Sequence, residues 1–178
     1  MPLEPIDESN ADPRTAATLR GVRGRMGFVP NLLRTMAHAP AVMESYLSLS
    51  EKFATTSLTP AERQVVLLAV SQINGCEYCM AAHAADAAGQ NVDGNIVEAA
   101  RDDRPIADAK LEALRRFTQD VVRMGGRPEQ SQRDAFVAAG YSEAQMLEVV
   151  LGVAMKTLSN YTNHMTKTPI DTAFVATH

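Results

Sequence analysis

The chain has 178 residues, of which 46% are hydrophobic and 21% are charged, and its formal net charge is −4. This length and composition predict one globular domain, residues 1–178, and they exclude a disordered chain. The small negative charge, without a basic run longer than a pair, argues against nucleic acid as a partner. No stretch reaches the roughly 20 apolar residues of a membrane span, so we expect no membrane partner.

Helix signals follow one another along the chain, and we find no alternating strand pattern bounded by a hairpin turn. Asp12 and Pro13 are typical of a helix start, and Gly27 ends that helix near residue 26. Thr59 and Pro60 open a helix that is apolar on nearly all sides, which is typical of a central, buried helix. Further helices are predicted at 31–38, from 40, from 76 to before 89, and at 93–101, 107–124, 129–139 and 143–165. The sequence therefore predicts an all-α fold.

Both cysteines of the chain lie in the sequence Cys76-Glu77-Tyr78-Cys79. The N-terminus lacks the pattern of a signal peptide, so we expect a cytoplasmic protein whose thiols are kept reduced. A disulfide across so short a span adds little stability, which favours a chemical role for the pair. Cys76, Cys79 and His83 follow one another at spacings of three and four residues. We therefore expect them to share one face at a helix start.

The start of a helix lowers the pKa of a thiol, because free backbone N–H groups and the helix dipole favour the thiolate. We expect both cysteines to be acidified in this way, and His83 to accept or relay the proton. Two other interpretations stay open from the residues alone. The three side chains could be ordinary core residues. Zinc could also bind, although a structural zinc site needs four ligands and the chain has two cysteines and four histidines.

Residues 69–83, which contain this motif, resemble the core motif of the alkylhydroperoxidase AhpD-like family, within the carboxymuconolactone decarboxylase superfamily. The specific part of the resemblance spans residues 58–90. Looser similarity to the peroxidase-related branch includes residues 27–31 and 160–164. The resemblance implies an all-α, AhpD-like helical domain that forms homo-oligomers, trimers or hexamers. It also implies reduction of organic hydroperoxides by the cysteine pair, and we expect neither a cofactor nor a metal.

By this resemblance, Cys79 becomes a sulfenic acid, Cys76 closes a disulfide with it, and His83 belongs to a proton relay. The relay glutamate of the family falls on Gln64, which cannot act as a base. Glu62 lies about 200° away around the same helix and cannot simply replace it. We expect Glu62 to be a solvated acid in the first helical turn rather than a relay group.

Two further side chains are candidates for the relay or the pocket. Tyr78 stands where the prototype of the family has histidine; its hydroxyl could donate a hydrogen bond, but we expect it to pack. His164 shares a helix face with Tyr161. This histidine is a candidate for a pocket mouth, an interface or a capping arrangement near a helix end.

The leading hypothesis is a thiol peroxidase of the alkyl hydroperoxide reductase type. An external dithiol, on a lipoyl or thioredoxin-type protein, reduces the disulfide again. The glutamine at position 64 motivates one alternative, a general disulfide reductase or adaptor with little peroxidase activity. The other alternative is a decarboxylase-type lyase or a non-catalytic oligomeric module. The cysteine pair counts against it, because the decarboxylase members of the superfamily lack that pair.

Overall fold

The computed structural model describes residues 3–175, which contain nine α-helices, one 3-10 helix and no β-strand. The helices are α1 (Pro13–Met26), α2 (Asn31–Met36), α3 (Pro40–Ala54), α4 (Pro60–Ile73), α5 (Glu77–Gly89), α6 (Gly94–Arg101), α7 (Ala109–Arg123), α8 (Gln130–Ala138) and α9 (Glu143–Thr166); the 3-10 helix is Thr172–Phe174. The predicted all-α fold is confirmed. Within the described part of the chain, no helix has the length and hydropathy needed to cross a membrane.

The capping residues seen in the sequence fix the ends of the helices. The Asp12 side chain accepts hydrogen bonds from two backbone N–H groups at the start of α1, and Gly27 ends that helix with a left-handed φ of 81°. Thr59 and Glu62 form a reciprocal capping box at the start of α4. Such local signals do not depend on distant parts of the chain. The predicted helix boundaries therefore agree with the observed ones to within about two residues.

Helix α4 lies at the centre of the molecule. It packs against α5, α6, α7 and α9. Its fully buried apolar side chains are Val65, Val66, Leu68, Ala69 and Val70. The prediction of a central helix that is apolar on nearly all sides is confirmed. A second apolar cluster, formed mainly by α1, α2 and α3, includes both cysteines.

Helix α9 approaches α3 and α4 very closely at Gly152. A Cβ atom added to Gly152 would lie 2.7 Å from Cγ1 of Val66 and 2.9 Å from Cε2 of Phe53. These distances are shorter than carbon atoms reach in a packed interior. The glycine therefore lets α9 lie close enough to α4 for side chains of α9 to reach the cysteine region.

We expect Gly152→Ala to lower the free energy of unfolding by about 1–3 kcal/mol, because the extra methyl group overpacks this contact. Gly24→Ala is the matched control. Gly24 lies exposed within α1 with no atom within 4 Å of an added Cβ, and this change should raise stability by about 0.5–1 kcal/mol. Urea denaturation of both variants measures the difference. Equal stability of Gly152→Ala and the parent protein would contradict the close contact.

Candidate functional site

The two cysteines lie at the turn between α4 and α5. Gly75 takes a left-handed φ of 64°, which allows the chain to change direction after α4. Cys76 is the N-cap of α5, and Cys79 is the third residue of that helix. Each cysteine is 1% exposed, and both are free thiols. The predicted helix start is therefore present, with Cys76 just outside the regular helix.

Helix α9 supplies polar contacts to both sulfur atoms. Nδ2 of Asn163 lies 3.3 Å from Sγ of Cys79 and 3.7 Å from Sγ of Cys76. The hydroxyl oxygen of Ser159 lies 3.7 Å from Sγ of Cys79. The two thiols also influence each other, because hydrogen bonding between them is the largest cause of the pKa shift of each. Both sulfurs thus lie against the same polar face of α9, where Asn163 contacts the two of them.

The two thiols have opposite pKa shifts. The hydrogen bond with Cys76 is the largest influence on Cys79 and lowers its pKa to about 5; burial opposes this, and the charge of Lys156 and the Ser159 hydroxyl reinforce it. The pKa of Cys76 is raised, because this thiol donates the shared hydrogen bond and is buried. Two thiolates in contact repel each other, so only one of them forms readily. The prediction that both thiols are acidified is therefore wrong for Cys76.

A buried lysine supplies positive charge beside the reactive thiol. Lys156 of α9 is 1% exposed, and its charge helps to lower the pKa of Cys79. Its Nζ lies 3.0 Å from Nε2 of His83. Burial, together with this charge, lowers the pKa of His83 well below its usual value, so the imidazole is neutral and accepts from the ammonium. His83 is therefore linked to Cys79 through Lys156.

Gln64 forms a second polar contact close to His83. Its Nε2 donates to Oδ2 of Asp86 over 2.6 Å. Asp86 lies on α5 one turn after His83 and also accepts from the side chain of Gln90. The carboxylate in this contact therefore belongs to Asp86 of α5. Gln64 of α4 only donates a hydrogen bond to it.

A cavity of about 470 Å³ opens onto Cys79. Much of its wall is apolar and aromatic, and this part includes Phe28, Leu33, Leu47 and Phe174. Its polar wall is formed by Tyr46, Tyr78, His83, Asp86 and Lys156. Burial and the nearby Cys79 raise the pKa of Tyr46, so its phenol stays protonated as a donor. The cavity thus combines an acidified thiol, a lysine and room for an apolar molecule.

A separate hollow of about 200 Å³ lies against Cys76. Its wall includes Glu77, Asn163, His164 and Ile170. His164, which the sequence suggested for a pocket mouth, is exposed and lines this hollow rather than the cavity at Cys79.

Tyr78 links the C-terminal segment to the site by a hydrogen bond. Its hydroxyl donates to Oδ2 of Asp171 over 2.6 Å and accepts from the backbone N–H of Leu32 over 3.2 Å. Asp171 also accepts from the backbone N–H of Asn31, and the Tyr78 ring packs edge-on against Phe174. Burial and the bond to Asp171 raise the pKa of Tyr78. The expectation that Tyr78 only packs is wrong, because its buried hydroxyl joins α2, α5 and the tail.

We expect Tyr78→Phe to lower the free energy of unfolding by about 1–3 kcal/mol, since it leaves the Asp171 carboxylate and a helix N–H without their shared partner. Tyr161→Phe is the matched control, because Tyr161 is 56% exposed. Thermal unfolding of both variants is the measurement. A melting temperature of Tyr78→Phe as high as that of the control would contradict the role of this hydroxyl.

Glu62 is buried, not solvated. It is 4% exposed, accepts from the backbone N–H of Thr59 over 2.8 Å and pairs with Lys110 at 3.2 Å. Burial raises its pKa, but the hydrogen bonds from Thr59 and Lys110 outweigh burial and lower it. The prediction of a solvated acid is therefore wrong, because the capping box folds the carboxylate back onto the helix. Glu62 lines neither the cavity nor the hollow.

Sequence reasoning missed the polar residues that α9 contributes to the site. Lys156, Ser159 and Asn163 are all buried. Their spacing of three and four residues places them on one helix face. A polar face next to the apolar run 149–155 was the signal that could have found them. Among residues 3–175, no group of three or more His, Cys, Asp or Glu side chains could hold a metal ion.

The chain is similar to known proteins in sequence over part of its length and in fold over nearly all of it. Residues 40–120 match the carboxymuconolactone decarboxylase family. A peroxidase-related protein from Ralstonia eutropha JMP134, described as an alkylhydroperoxidase AhpD core, is similar with a TM-score of 0.87 at 19% identity, over 97% of this chain and 93% of that chain. A peroxidase-related protein from Silicibacter sp. TM1040 gives 0.81 at 21% identity, over 97% and 95%.

The structure of a variant of the debrominase Bmp8 in complex with 2,3,4-tribromopyrrole is also similar. Its TM-score is 0.80 at 21% identity, over 96% of this chain and 91% of that chain. At these identities the likeness concerns the fold, which matches along almost the entire chain. The sequence has no match among curated proteins.

Proposed function

We propose that the chain, which matches the carboxymuconolactone decarboxylase family over residues 40–120 and resembles an AhpD-like protein in fold, is a thiol peroxidase that reduces organic hydroperoxides through Cys79 and Cys76. The observation that carries this proposal is one acidified thiol, Cys79, at the wall of a largely apolar cavity and beside the buried Lys156. A thiolate is the nucleophilic form of cysteine. The apolar wall suits the organic part of such a substrate.

In the first step, the Cys79 thiolate attacks the terminal oxygen of the hydroperoxide. The O–O bond breaks, the sulfur becomes a sulfenic acid, and the organic part leaves as an alkoxide. Lys156 stands next to the sulfur and donates the proton that turns the alkoxide into an alcohol. His83, held at 3.0 Å from Nζ, orients the ammonium through its acceptor nitrogen.

In the second step, Cys76 condenses with the sulfenic acid. The Cys76 sulfur bonds to the Cys79 sulfur, and the hydroxyl group leaves as water with the proton of the Cys76 thiol. Asn163 supports this step, because its Nδ2 lies 3.3 and 3.7 Å from the two sulfurs and holds them side by side. An external dithiol then reduces the disulfide and is itself oxidised.

Removal of bromine from a heteroaromatic ring is a second candidate function. It is supported by the aromatic side chains of the cavity wall, among them Phe28 and Phe174, and by the similarity in fold to Bmp8. The same pair of thiols would supply both electrons. The Cys79 sulfur would take the bromine from a ring carbon that gains a proton, and Cys76 would displace bromide as the disulfide forms.

One single-turnover experiment separates these candidates. The reduced protein is mixed in turn with cumene hydroperoxide, tribromopyrrole and a small disulfide, and the loss of protein thiols is followed in time. We expect the hydroperoxide to oxidise the pair fastest. Faster oxidation by tribromopyrrole would favour the second candidate. A reaction with the small disulfide alone would identify a disulfide reductase and contradict the peroxidase proposal.

We also propose that the protein forms a homo-oligomer through α9. Leu147, Val150 and Met165 of this helix are between 47% and 84% exposed. Their spacing places them on one stripe of the helix surface. A stripe of exposed large apolar side chains is typical of an interface. Light scattering of the parent protein and of Leu147→Glu tests this, and a monomeric parent would contradict it.

A further inference from the structure

The cysteine pair is approached from two different sides. The cavity of about 470 Å³ reaches Cys79 and not Cys76, whereas the hollow of about 200 Å³ reaches Cys76 and not Cys79. Tyr78 belongs to both walls and stands between them. Its hydroxyl is fixed by Asp171 and by the backbone of Leu32. The two openings are therefore separated by a side chain that the fold holds in place.

We propose that the external thiol which reduces the pair arrives through the hollow and attacks Cys76, while the oxidising substrate reaches Cys79 through the cavity. The inference rests on the cysteine chemistry of the proposed function, and it assigns a site and a target sulfur to the reductant. The oxidant and the reductant thus never compete for the same space.

The hollow contains polar groups suited to an arriving thiol. Asn163 is 5% exposed, and its Oδ1 is buried without a hydrogen-bond partner among residues 3–175. A carbonyl oxygen of this kind can accept from an S–H group. His164 lines the same hollow, and an imidazole is a suitable base to take the proton of the thiol. The wall next to Cys76 therefore offers both an acceptor and a base.

The leaving group also favours attack on Cys76. Attack on one sulfur of a disulfide expels the other sulfur as a thiolate, and a thiol of lower pKa leaves faster. The hydrogen bond from Cys76, the largest influence that lowers the pKa of Cys79 in the dithiol, is lost once the Cys76 sulfur is bonded to the donor, but the charge of Lys156 and the Ser159 hydroxyl stay beside Cys79 and still lower its pKa. Attack on Cys76 therefore expels the better leaving group, which returns directly to the side of Lys156.

The donor reduces the disulfide between Cys76 and Cys79 in two steps. The thiolate of the donor bonds to the Cys76 sulfur, the bond between Cys76 and Cys79 breaks, and its electron pair stays on Cys79. A second thiol of the donor then bonds to the donor sulfur, which releases Cys76 to take up a proton. The donor leaves as a disulfide, oxidised by two electrons, and the protein pair is reduced by two. Because the hollow is small, the donor is a small dithiol or a dithiol on a flexible arm.

Blocking each opening with a tryptophan tests the proposal by steric means. Ile170 lines only the hollow and is 40% exposed, and Leu47 lines the cavity. The pair is oxidised with diamide, reduced by dithiothreitol, and separately oxidised by cumene hydroperoxide, with both rate constants measured by stopped flow. We expect the rate constant of reduction, divided by that of oxidation, to fall at least tenfold in Ile170→Trp and to rise in Leu47→Trp. The opposite pattern would overturn the proposal.

A charge reversal tests the same point without filling any space. Glu77 lines the hollow, and Glu51 lies beside the cavity in an adjoining surface depression. We expect Glu77→Lys to change the ratio of reduction rates for mercaptoethanesulfonate over cysteamine by about tenfold at low salt, in favour of the anionic thiol. Glu51→Lys is the matched control. A larger change in the control than in Glu77→Lys would mean that thiols arrive through the cavity.

These measurements remain informative if the peroxidase proposal fails. Diamide oxidises the pair without a hydroperoxide, so the reduction step is measured independently of the oxidising substrate. Failure of cumene hydroperoxide to oxidise the protein would contradict the proposed function alone. Equal reduction rates in all four variants would contradict the assignment of the hollow.

Discussion

Replacing Cys79 by serine is expected to abolish hydroperoxide consumption, with a loss of at least about a thousandfold, because it removes the nucleophile. The serine hydroxyl has nearly the same shape but does not ionise beside Lys156. Folding should be retained, since the side chain stays small and keeps a polar atom towards Ser159. The measurement is consumption of cumene hydroperoxide under excess dithiothreitol. Turnover at the parental rate would end the assignment of Cys79.

Cys76→Ser is the matched control for this experiment, and it should behave differently. The serine hydroxyl still donates a hydrogen bond to the Cys79 thiolate, which is the largest influence that lowers its pKa. One round of oxidation should therefore proceed, and the sulfenic acid should accumulate because no partner condenses with it. A dimedone-type reagent and mass spectrometry detect that species. Its absence from Cys76→Ser would contradict the order of the two steps.

Lys156→Met is expected to slow the oxidation of Cys79 by about 10- to 100-fold near neutral pH, because it removes the adjacent positive charge. In the parent protein the thiolate forms as pH rises through about 5. The rate should therefore rise through that pH and then level off. In the variant, the pKa of Cys79 moves towards its ordinary range, so the rise shifts to higher pH and alkaline conditions restore part of the rate. Ultraviolet absorbance of the thiolate against pH measures the shift.

The same variant separates a chemical role of Lys156 from a structural one. Methionine fills a similar volume and carries no charge, and Cys79 can take up a proton once the lysine is gone, so no uncompensated charge stays buried. Stability should therefore be kept while the pH profile moves. Lys110→Met is the matched control, since Lys110 pairs with Glu62 at the far end of α4. A pH profile of Lys156→Met identical to that of the control would contradict the influence of this lysine.

The helices and the positions of the cysteines follow from local signals. Asp12, Thr59 and the glycines act over one helical turn, so sequence alone predicts the helix ends. The placement of Cys76 and Cys79 at the start of α5 is equally local. The single-domain organisation and the cytoplasmic location rest on the sequence and stay predictions.

The rest of the site depends on contacts between residues far apart in the chain. Lys156 and Asn163 reach the sulfurs only because α9 packs closely at Gly152. The opposite pKa shifts of the thiols arise from their mutual hydrogen bond and from the lysine, which spacing alone does not show. The Tyr78 hydroxyl finds its partner in Asp171, 93 positions further along the chain. Tertiary packing therefore decides which of the candidate groups act together.

The charge of Lys156, which favours the Cys79 thiolate, also has a thermodynamic consequence for the resting state of the protein. The attraction between ammonium and thiolate exists only in the dithiol form, because a disulfide carries no negative charge. This difference stabilises the dithiol and raises the reduction potential of the couple, by about 30 mV for each tenfold gain in stability. The disulfide form should accordingly be a comparatively strong oxidant of other thiols. It is therefore reduced easily, and the free Cys79 thiolate is restored even when reductant is scarce.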